Sequence, residues 1–322
     1  MRIDGLLLLD KAPGLTSNAA LQKARRLLDA DKAGHGGTLD PLAQGLLPLL
    51  FGEACKLAGT ALDGDKGYDA TVALGVTTTT DDAEGEVLET RPVAVDAGAI
   101  EQALARFTGT IEQVPPIYSA LKVGGKPLYR HARAGRAVAV AARRVTIHRL
   151  ERLPDDDAGR LRLRVACSKG TYVRALARDL GAALGCGAHL AALRRTRVGR
   201  FGIEDAIDLD ALAALEPAAR HGRLIDPAAL VAGWPTVMLD AADAVRFSHG
   251  QTIAPAAGVG RPAAGAGWPA AVHLPAGNAT AGIGIDDEAR IAVMSGDRLI
   301  GIARAVPRDG APPLLRPVRV IV

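Results

Sequence analysis

Apolar positions change their spacing along the chain, and each change predicts an element. Leu6 to Leu9 is an uninterrupted apolar run, which predicts a short buried strand, and Lys11-Ala12-Pro13-Gly14 after it reads as a turn. Ala20, Leu21, Ala24, Leu27 and Leu28 recur at helical spacing, predicting a helix capped by Ser17 and running to about Asp29. A glycine-rich segment, Ala33 to Pro41, interrupts the pattern. Tyr68 to Val76 predicts a strand bounded by glycines. Ile100, Ala103, Leu104 and Phe107 share one face of a second helix, with Asp96 as its cap and Gly109 beyond its end. Leu161, Leu163 and Val165 alternate with Arg160, Arg162 and Arg164, the pattern of a strand with one wet, strongly basic face. A turn at Ser168-Lys169-Gly170 leads into a helix from about Thr171 to Leu184, ended by Gly185. Mixed strands and helices, several strands reading as hairpin-connected, predict an α+β domain with a mixed, mostly antiparallel sheet.

The pattern changes after about Trp234. All eight lysines lie before that point, and Thr252 to Ala281 is rich in Ala, Gly and Pro with short apolar runs. Ile291 to Met294 and Leu299 to Ala303 read as short strands around the turn Ser295-Gly296-Asp297. The expected division is a large domain over 1–235 and a small β domain over 236–322, the latter carrying an irregular or mobile insertion. With 322 residues, 48% of them hydrophobic, the chain is long enough for both cores.

Charge sharpens the picture. Gln113 to Leu150 holds eight Lys/Arg and no acid, Ala158 to Arg178 six and none, and Leu180 to Ile203 four and none. One such run is ordinarily a solvated face. Three runs without a compensating acid favour a surface for a polyanion, more than the net charge of +4 does. The apolar start is too short for a signal peptide or a membrane span, so a soluble, cytoplasmic protein is expected. Cys55, Cys167 and Cys186 are scattered, which predicts reduced thiols, and no His or Cys pair has zinc-ligand spacing.

The candidate chemistry lies in Gly34-His35-Gly36-Gly37-Thr38-Leu39-Asp40-Pro41-Leu42-Ala43-Gln44-Gly45. Four glycines in twelve residues free the backbone and let a ligand approach closely. Pro41 biases Asp40 away from the α region, as a loop presenting a carboxylate to a cleft requires. By spacing alone Asp40 reads more readily as an Asx-turn former and His35 as a loop hydrogen-bonder. The glycines do not make a P-loop, because no Gly-Lys-Ser/Thr follows them.

The whole segment GHGGTLDPLAQGLLP resembles the hallmark motif of the tRNA pseudouridine-55 synthases, in which the Asp of GTLDP is the nucleophile. LLLLDKAPGLTSNAALQKARRLL, FGEACKLAGTALDGDKGYDATVALG, TTDDAEGEV, EQVPPIYSALKVGGKPLYRHARAG and CSKGTYVRALARDLGAALGCGAHLAALRRTRVG resemble further blocks of that family, in order, over about 1 to 235. The resemblance implies a catalytic domain of the pseudouridine synthase type. It implies that Asp40 is the nucleophile, that Tyr68 stacks on the target uracil, and that Arg174 pairs with the nucleophile. It also implies that Leu193 and Tyr172 line the pocket, that His35 lies beside flipped bases, and that Lys11 is the lysine of the N-terminal motif, here spaced Lys11-Ala12-Pro13. Otherwise Tyr68, Tyr172 and Leu193 read as packing residues and Arg174 as a helix-surface cation. GDRLIGIARA resembles the family's small RNA-binding domain, of the type named after pseudouridine synthases and archaeosine transglycosylases.

The implied substrate is tRNA, at the T-arm, with no obligate protein partner and no membrane. Converting uridine to pseudouridine breaks the C1′–N1 bond and re-forms it at C5, so no cofactor is expected. A carboxylate nucleophile attacks either C1′ or C6. The base must first leave its stack, at a cost of about a few kcal/mol offset in the pocket. A non-catalytic RNA-binding or RNA-folding protein on the same scaffold, or a synthase acting on another RNA, are the alternatives.

Overall fold

The computed structural model describes residues 3–61, 63–119, 121–134, 136, 138–154, 159–255, 290–308 and 311–321. Along the first part run β1 (Gly5–Lys11), β2 (Ala33–His35), β3 (Gln44–Phe51), β4 (Lys66–Leu74), the hairpin β5 (Val76–Thr78) and β6 (Val87–Thr90), and β7 (Gly109–Gln113). There follow the short pair β8 (Lys122–Val123) and β9 (Lys126–Pro127), then β10 (Arg143–Arg152), β11 (Arg160–Cys167), β12 (Ala188–Val198) and β13 (Phe201–Gly202). Among the described residues nine strands form one sheet, ordered β1-β3-β12-β4-β11-β10-β7, with β2 on β3 and β13 on β12. Only the contact of β12 with β3, at Arg194–Gln44 and Arg195–Gly45, is parallel. The expected α+β fold with a mixed, mostly antiparallel sheet is what forms.

Each strand's sequence follows from what covers it. β1 and β3 read as almost unbroken apolar runs because both of their faces are buried. Leu7, Leu9, Leu47 and Leu49 face a core shared with Ala20, Leu21 and Ala24 of the helix Ser17–Leu27 and with Leu176 and Leu180 of the helix Val173–Ala183. Leu6, Leu8, Leu46 and Leu50 face the other way. β11 alternates strictly: Leu161, Leu163 and Val165 join the helix-side core, and Arg160, Arg162 and Arg164 are exposed on the opposite face.

A second, four-stranded sheet is ordered β14 (Thr236–Met238), β15 (Arg290–Ser295), β16 (Arg298–Arg308), β17 (Ala311–Val320). Both strands expected around Ser295-Gly296-Asp297 are present. Ala292, Met294, Leu299 and Ile302 of this sheet join one buried cluster with Leu6, Leu8, Leu46, Leu50, Leu230 and Val231, so the two sheets share a core. Most of the Ala/Gly/Pro-rich stretch expected as an insertion lies outside the described residues.

Three local readings change. Thr16, not Ser17, caps the first helix, its side chain accepting from the Ala19 amide at 3.1 Å. Ser17 is buried and serves the neighbouring loop instead. The strand over Tyr68 to Val76 starts earlier, at Lys66, and stops at Leu74. Gly75, at φ +86°, breaks it, where a Cβ would lie 2.7 Å from Val93 Cγ2 and 2.8 Å from Arg91 O. Within the glycine-rich segment, Ala33–His35 pairs with Leu49–Phe51 as a strand. Asp96 caps the helix Ala97–Arg106 as expected, accepting from the Ala99 amide at 2.7 Å. Among the described residues no helix is long and apolar enough to cross a membrane, and Cys55, Cys167 and Cys186 are unpaired.

Candidate active site

All five backbone carbonyls of the loop Gly37–Pro41 accept a hydrogen bond. Gly37 O and Thr38 O accept from the Arg195 guanidinium at 3.2 and 3.5 Å. Ser17 Oγ both accepts from Leu39 N (2.8 Å) and donates to Leu39 O (2.9 Å). Asp40 O accepts from Ala43 N at 3.1 Å, and Pro41 O from Gly14 N at 2.8 Å. Lys11 Nζ donates to Leu15 O (2.7 Å), Ala12 O (2.9 Å) and Pro41 O (3.4 Å). The turn after β1, the start of the first helix and β12 thus fix this loop from three sides. Such fixing makes a loop a precise mount for a side chain.

The side chain it mounts is Asp40. Arg174 Nε lies 3.0 Å from Asp40 Oδ2, and Arg174 Nη1 lies 3.4 Å from Asp82 Oδ2. The remaining donors of Arg174 reach Thr80 O (3.1 Å) and Tyr118 O (2.8 Å). Arg174 and Asp82 are buried, whereas the Asp40 side chain keeps 41% exposure. Asp82 is itself held by Thr80 Oγ1 and by the Glu84 amide at 3.0 Å. The guanidinium is therefore locked from behind, with one edge offered to Asp40. Burial raises the Asp40 pKa above the ordinary carboxylate value; Arg174 opposes this, Asp82 adds to it and Lys11 opposes it. Burial also lowers Lys11 to about 8, against the pull of Asp40 and Glu84.

Tyr68 and Leu193 lie on the helix-side face of β4 and β12, both nearly buried at 8% exposure. Tyr68 is the cross-strand partner of Arg195, and Leu193 that of Ala70. Burial raises the Tyr68 pKa and the Arg195 charge opposes that rise. Tyr172 caps the helix Val173–Ala183, and Gln113 pins its backbone, accepting from Tyr172 N (2.8 Å) and donating to Tyr172 O (3.1 Å). His35 is half-buried on β2, and among the described residues its Nδ1 has no hydrogen-bond partner. Burial and Arg195 lower its pKa. Asp40, Arg174, Lys11 and Tyr68 are thus electrostatically one cluster, joined by Asp82 and Arg195.

Residues 25–173 match the family described as TruB family pseudouridylate synthase (N terminal domain), and residues 174–228 match the tRNA pseudouridylate synthase B C-terminal domain. tRNA pseudouridine synthase B of Cupriavidus metallidurans is 51% identical over 322 residues, covering 99% of this chain and 94% of that one. The chain belongs to the TruB family of pseudouridylate synthases. Its likeness to tRNA pseudouridine synthase B of Aromatoleum aromaticum is 59% over 252 residues, covering 78% and 82% of the two chains. A chain of a solved Cbf5-Nop10-Gar1 complex superposes with a TM-score of 0.72 at 25% identity, covering 99% of this chain and 85% of that one. A chain of an H/ACA RNP bound to a substrate RNA containing 2'-deoxyuridine superposes at 0.70 and 23% identity, covering 99% and 85%. The two TruB family matches abut inside the nine-stranded sheet, between β11 and β12.

Sequence reading of this TruB family member passed over Asp82, Gln113, Ser17 and Arg195 as parts of the site. Ser17 was visible as a helix-start residue, and Asp82 lay inside a quoted block, but nothing in their spacing points to Leu39 or Arg174. The second and third basic runs need a correction, because acids distant in sequence compensate part of them. Arg164 pairs with Asp69, Arg178 with Asp81, Arg194 with Asp10, and Lys169 with Asp63. Arg174 and Arg195 are buried. These six cations of the second and third runs are therefore not free for a polyanion.

Proposed function

We propose that this chain isomerises uridine to pseudouridine at position 55, in the T-loop of tRNA, with Asp40 as the nucleophile. The observation that carries this is the Asp40–Arg174 pair at 3.0 Å on a loop whose five carbonyls are all held. The chain's family is one of pseudouridylate synthases, and its 51% identical relative is named for tRNA.

The reaction breaks C1′–N1, forms C1′–C5 and moves a proton from C5 to N1, leaving the composition unchanged. No electron or group leaves the nucleotide, so the chemistry asks for no cofactor. A carboxylate nucleophile must be ionised, and burial works against that. Arg174 offsets the burial while leaving part of the carboxyl exposed toward substrate. Tyr68 stacks on the flipped ring and takes part in removing the C5 proton. Leu193 and Tyr172 line the pocket, His35 lies beside the flipped bases, and Lys11 holds the loop at Pro41. Flipping is paid back by such pocket contacts.

We assign residues 1–235 to catalysis and 236–322 to a PUA-like domain that adds RNA contacts. The enzyme works in the cytoplasm on tRNA and needs no protein partner. The test is tritium release from C5-labelled uridine in an unmodified tRNA transcript. Wild type releases tritium from position 55 alone, and Asp40→Asn releases none while binding tRNA within about three-fold. Turnover by Asp40→Asn comparable to wild type, or release from another position, would sink the assignment.

A further inference from the structure

Arg195 is among the largest fully buried side chains, at 2% exposure. Among the described residues it has no carboxylate partner. Its guanidinium donates to Leu46 O (2.7 Å), Gly37 O (3.2 Å) and Thr38 O (3.5 Å), and Tyr68 stands directly opposite it on the neighbouring strand, on the same face of the sheet. Burying a cation without a counter-charge is costly, and neutral donors would satisfy three carbonyls as well. The Tyr68 oxygen is the one neighbour for which a cation differs from a neutral donor.

A guanidinium has five donors and no acceptor. Against it the Tyr68 oxygen can only accept, so the phenol O–H turns away from the guanidinium. Gly37 and Thr38 stand three and two residues ahead of Asp40, so the same side chain touches both the mount of the carboxylate and the phenol. The backbone of Arg195 is fixed in turn, because Gly45, at φ +101°, lets β3 lie directly against it. A Cβ at Gly45 would lie 2.3 Å from Arg195 O and 2.8 Å from Arg195 N.

We propose that Arg195 is a positioning residue for the isomerisation, setting the direction of the Tyr68 hydroxyl and the place of the Asp40 loop from one buried cation. This rests on the roles given above to Tyr68 and Asp40. A lysine at 195 keeps the charge but cannot hold the planar fork of contacts.

The test compares wild type, Arg195→Lys, Arg195→Gln, Tyr68→Phe and the double variant Tyr68→Phe/Arg195→Lys. Single-turnover rate at saturating enzyme and tRNA Kd are measured for each, with folding followed by circular dichroism. Arg195→Lys is expected to lower the rate about 30-fold or more, with Kd within about three-fold. On the Tyr68→Phe background the same substitution should cost clearly less than on the wild-type background, because only the loop contacts at Gly37 and Thr38 remain for it to act through. Equal effects on both backgrounds overturn the proposal. So does wild-type rate in Arg195→Lys, or failure of both single variants to fold, which would make Arg195 a core residue alone. If the Tyr68→Phe rate lies below detection, rate lost with Kd kept supports the proposal, and rate and Kd lost together overturn it. Full activity in Tyr68→Phe would instead remove the reading of Tyr68 on which the proposal rests.

Discussion

Arg174 has two carboxylates to serve and reaches both, Asp40 through Nε and Asp82 through Nη1. A lysine in its place is a point charge and reaches one. Arg174→Lys is therefore expected to lower turnover about 100-fold or more. It also moves the acid limb of the pH–rate profile. The Asp40 pKa already lies above its ordinary value, and Arg174 holds it down. Weakening that contact raises it further, so the rate is lost at a higher pH on acidification than in wild type. A limb that stays put in Arg174→Lys would show that another group titrates. At Tyr68 the ring and the hydroxyl have separable duties. Tyr68→Phe should keep tRNA Kd within about three-fold and lose most product formation, and Tyr68→Ala should weaken Kd as well. Filter binding and tritium release on the same preparations read the two apart.

At the scale of elements, neighbouring residues at the start of the first helix do different work. Thr16 caps it, so Thr16→Ala should cost about 1 kcal/mol of stability and leave turnover near wild type. Ser17 clamps Leu39, so Ser17→Ala strands a buried amide and carbonyl. It should cost about 1–3 kcal/mol and also lower kcat. Denaturant unfolding and turnover together distinguish the two; equal effects would undo the division. The helix, its stripe and the strand β11 were legible because their spacing is regular and one face is wet. β12 was not legible as a strand, although it is central. Bulges between Leu190 and Ala192 and between Arg195 and Arg197 put Leu190 and Leu193 on the same face three residues apart, which erases the period of two. β3 was hidden by Pro48, a residue that argues against an interior strand. It is tolerated where β12 has already diverged from β3, and Pro48 O accepts from Gly36 N at 2.9 Å. Asp40 and Arg174 were singled out through the resemblance, whereas Gln113 and Asp82 act through contacts that no local spacing encodes.

For the whole molecule, the sheet has two faces and only one carries the site. Arg143 stands opposite Gln113 on the site face, near the pinned backbone of Tyr172, whereas Arg162 stands opposite Thr71 on the other. Four to six phosphate contacts would give a log–log salt slope for tRNA Kd on the order of −3 to −4. Arg143→Gln should flatten it by about 0.7, the share of one phosphate, and Arg162→Gln should leave it unchanged. A salt series of Kd values checks both, and a flattening by Arg162→Gln alone would move the RNA to the other face. Removal of everything after Trp234 now carries a structural cost as well, since it uncovers Leu6, Leu8, Leu46 and Leu50. The same shared core has a consequence during synthesis on the ribosome. Those leucines emerge first, and their cover, from Ala292 to Ile302, emerges about 240 residues after Leu50. At roughly 5–20 residues per second, this core stays incomplete for on the order of 10–50 seconds. A holding chaperone has that interval in which to bind, and release must wait for the last strands of the chain.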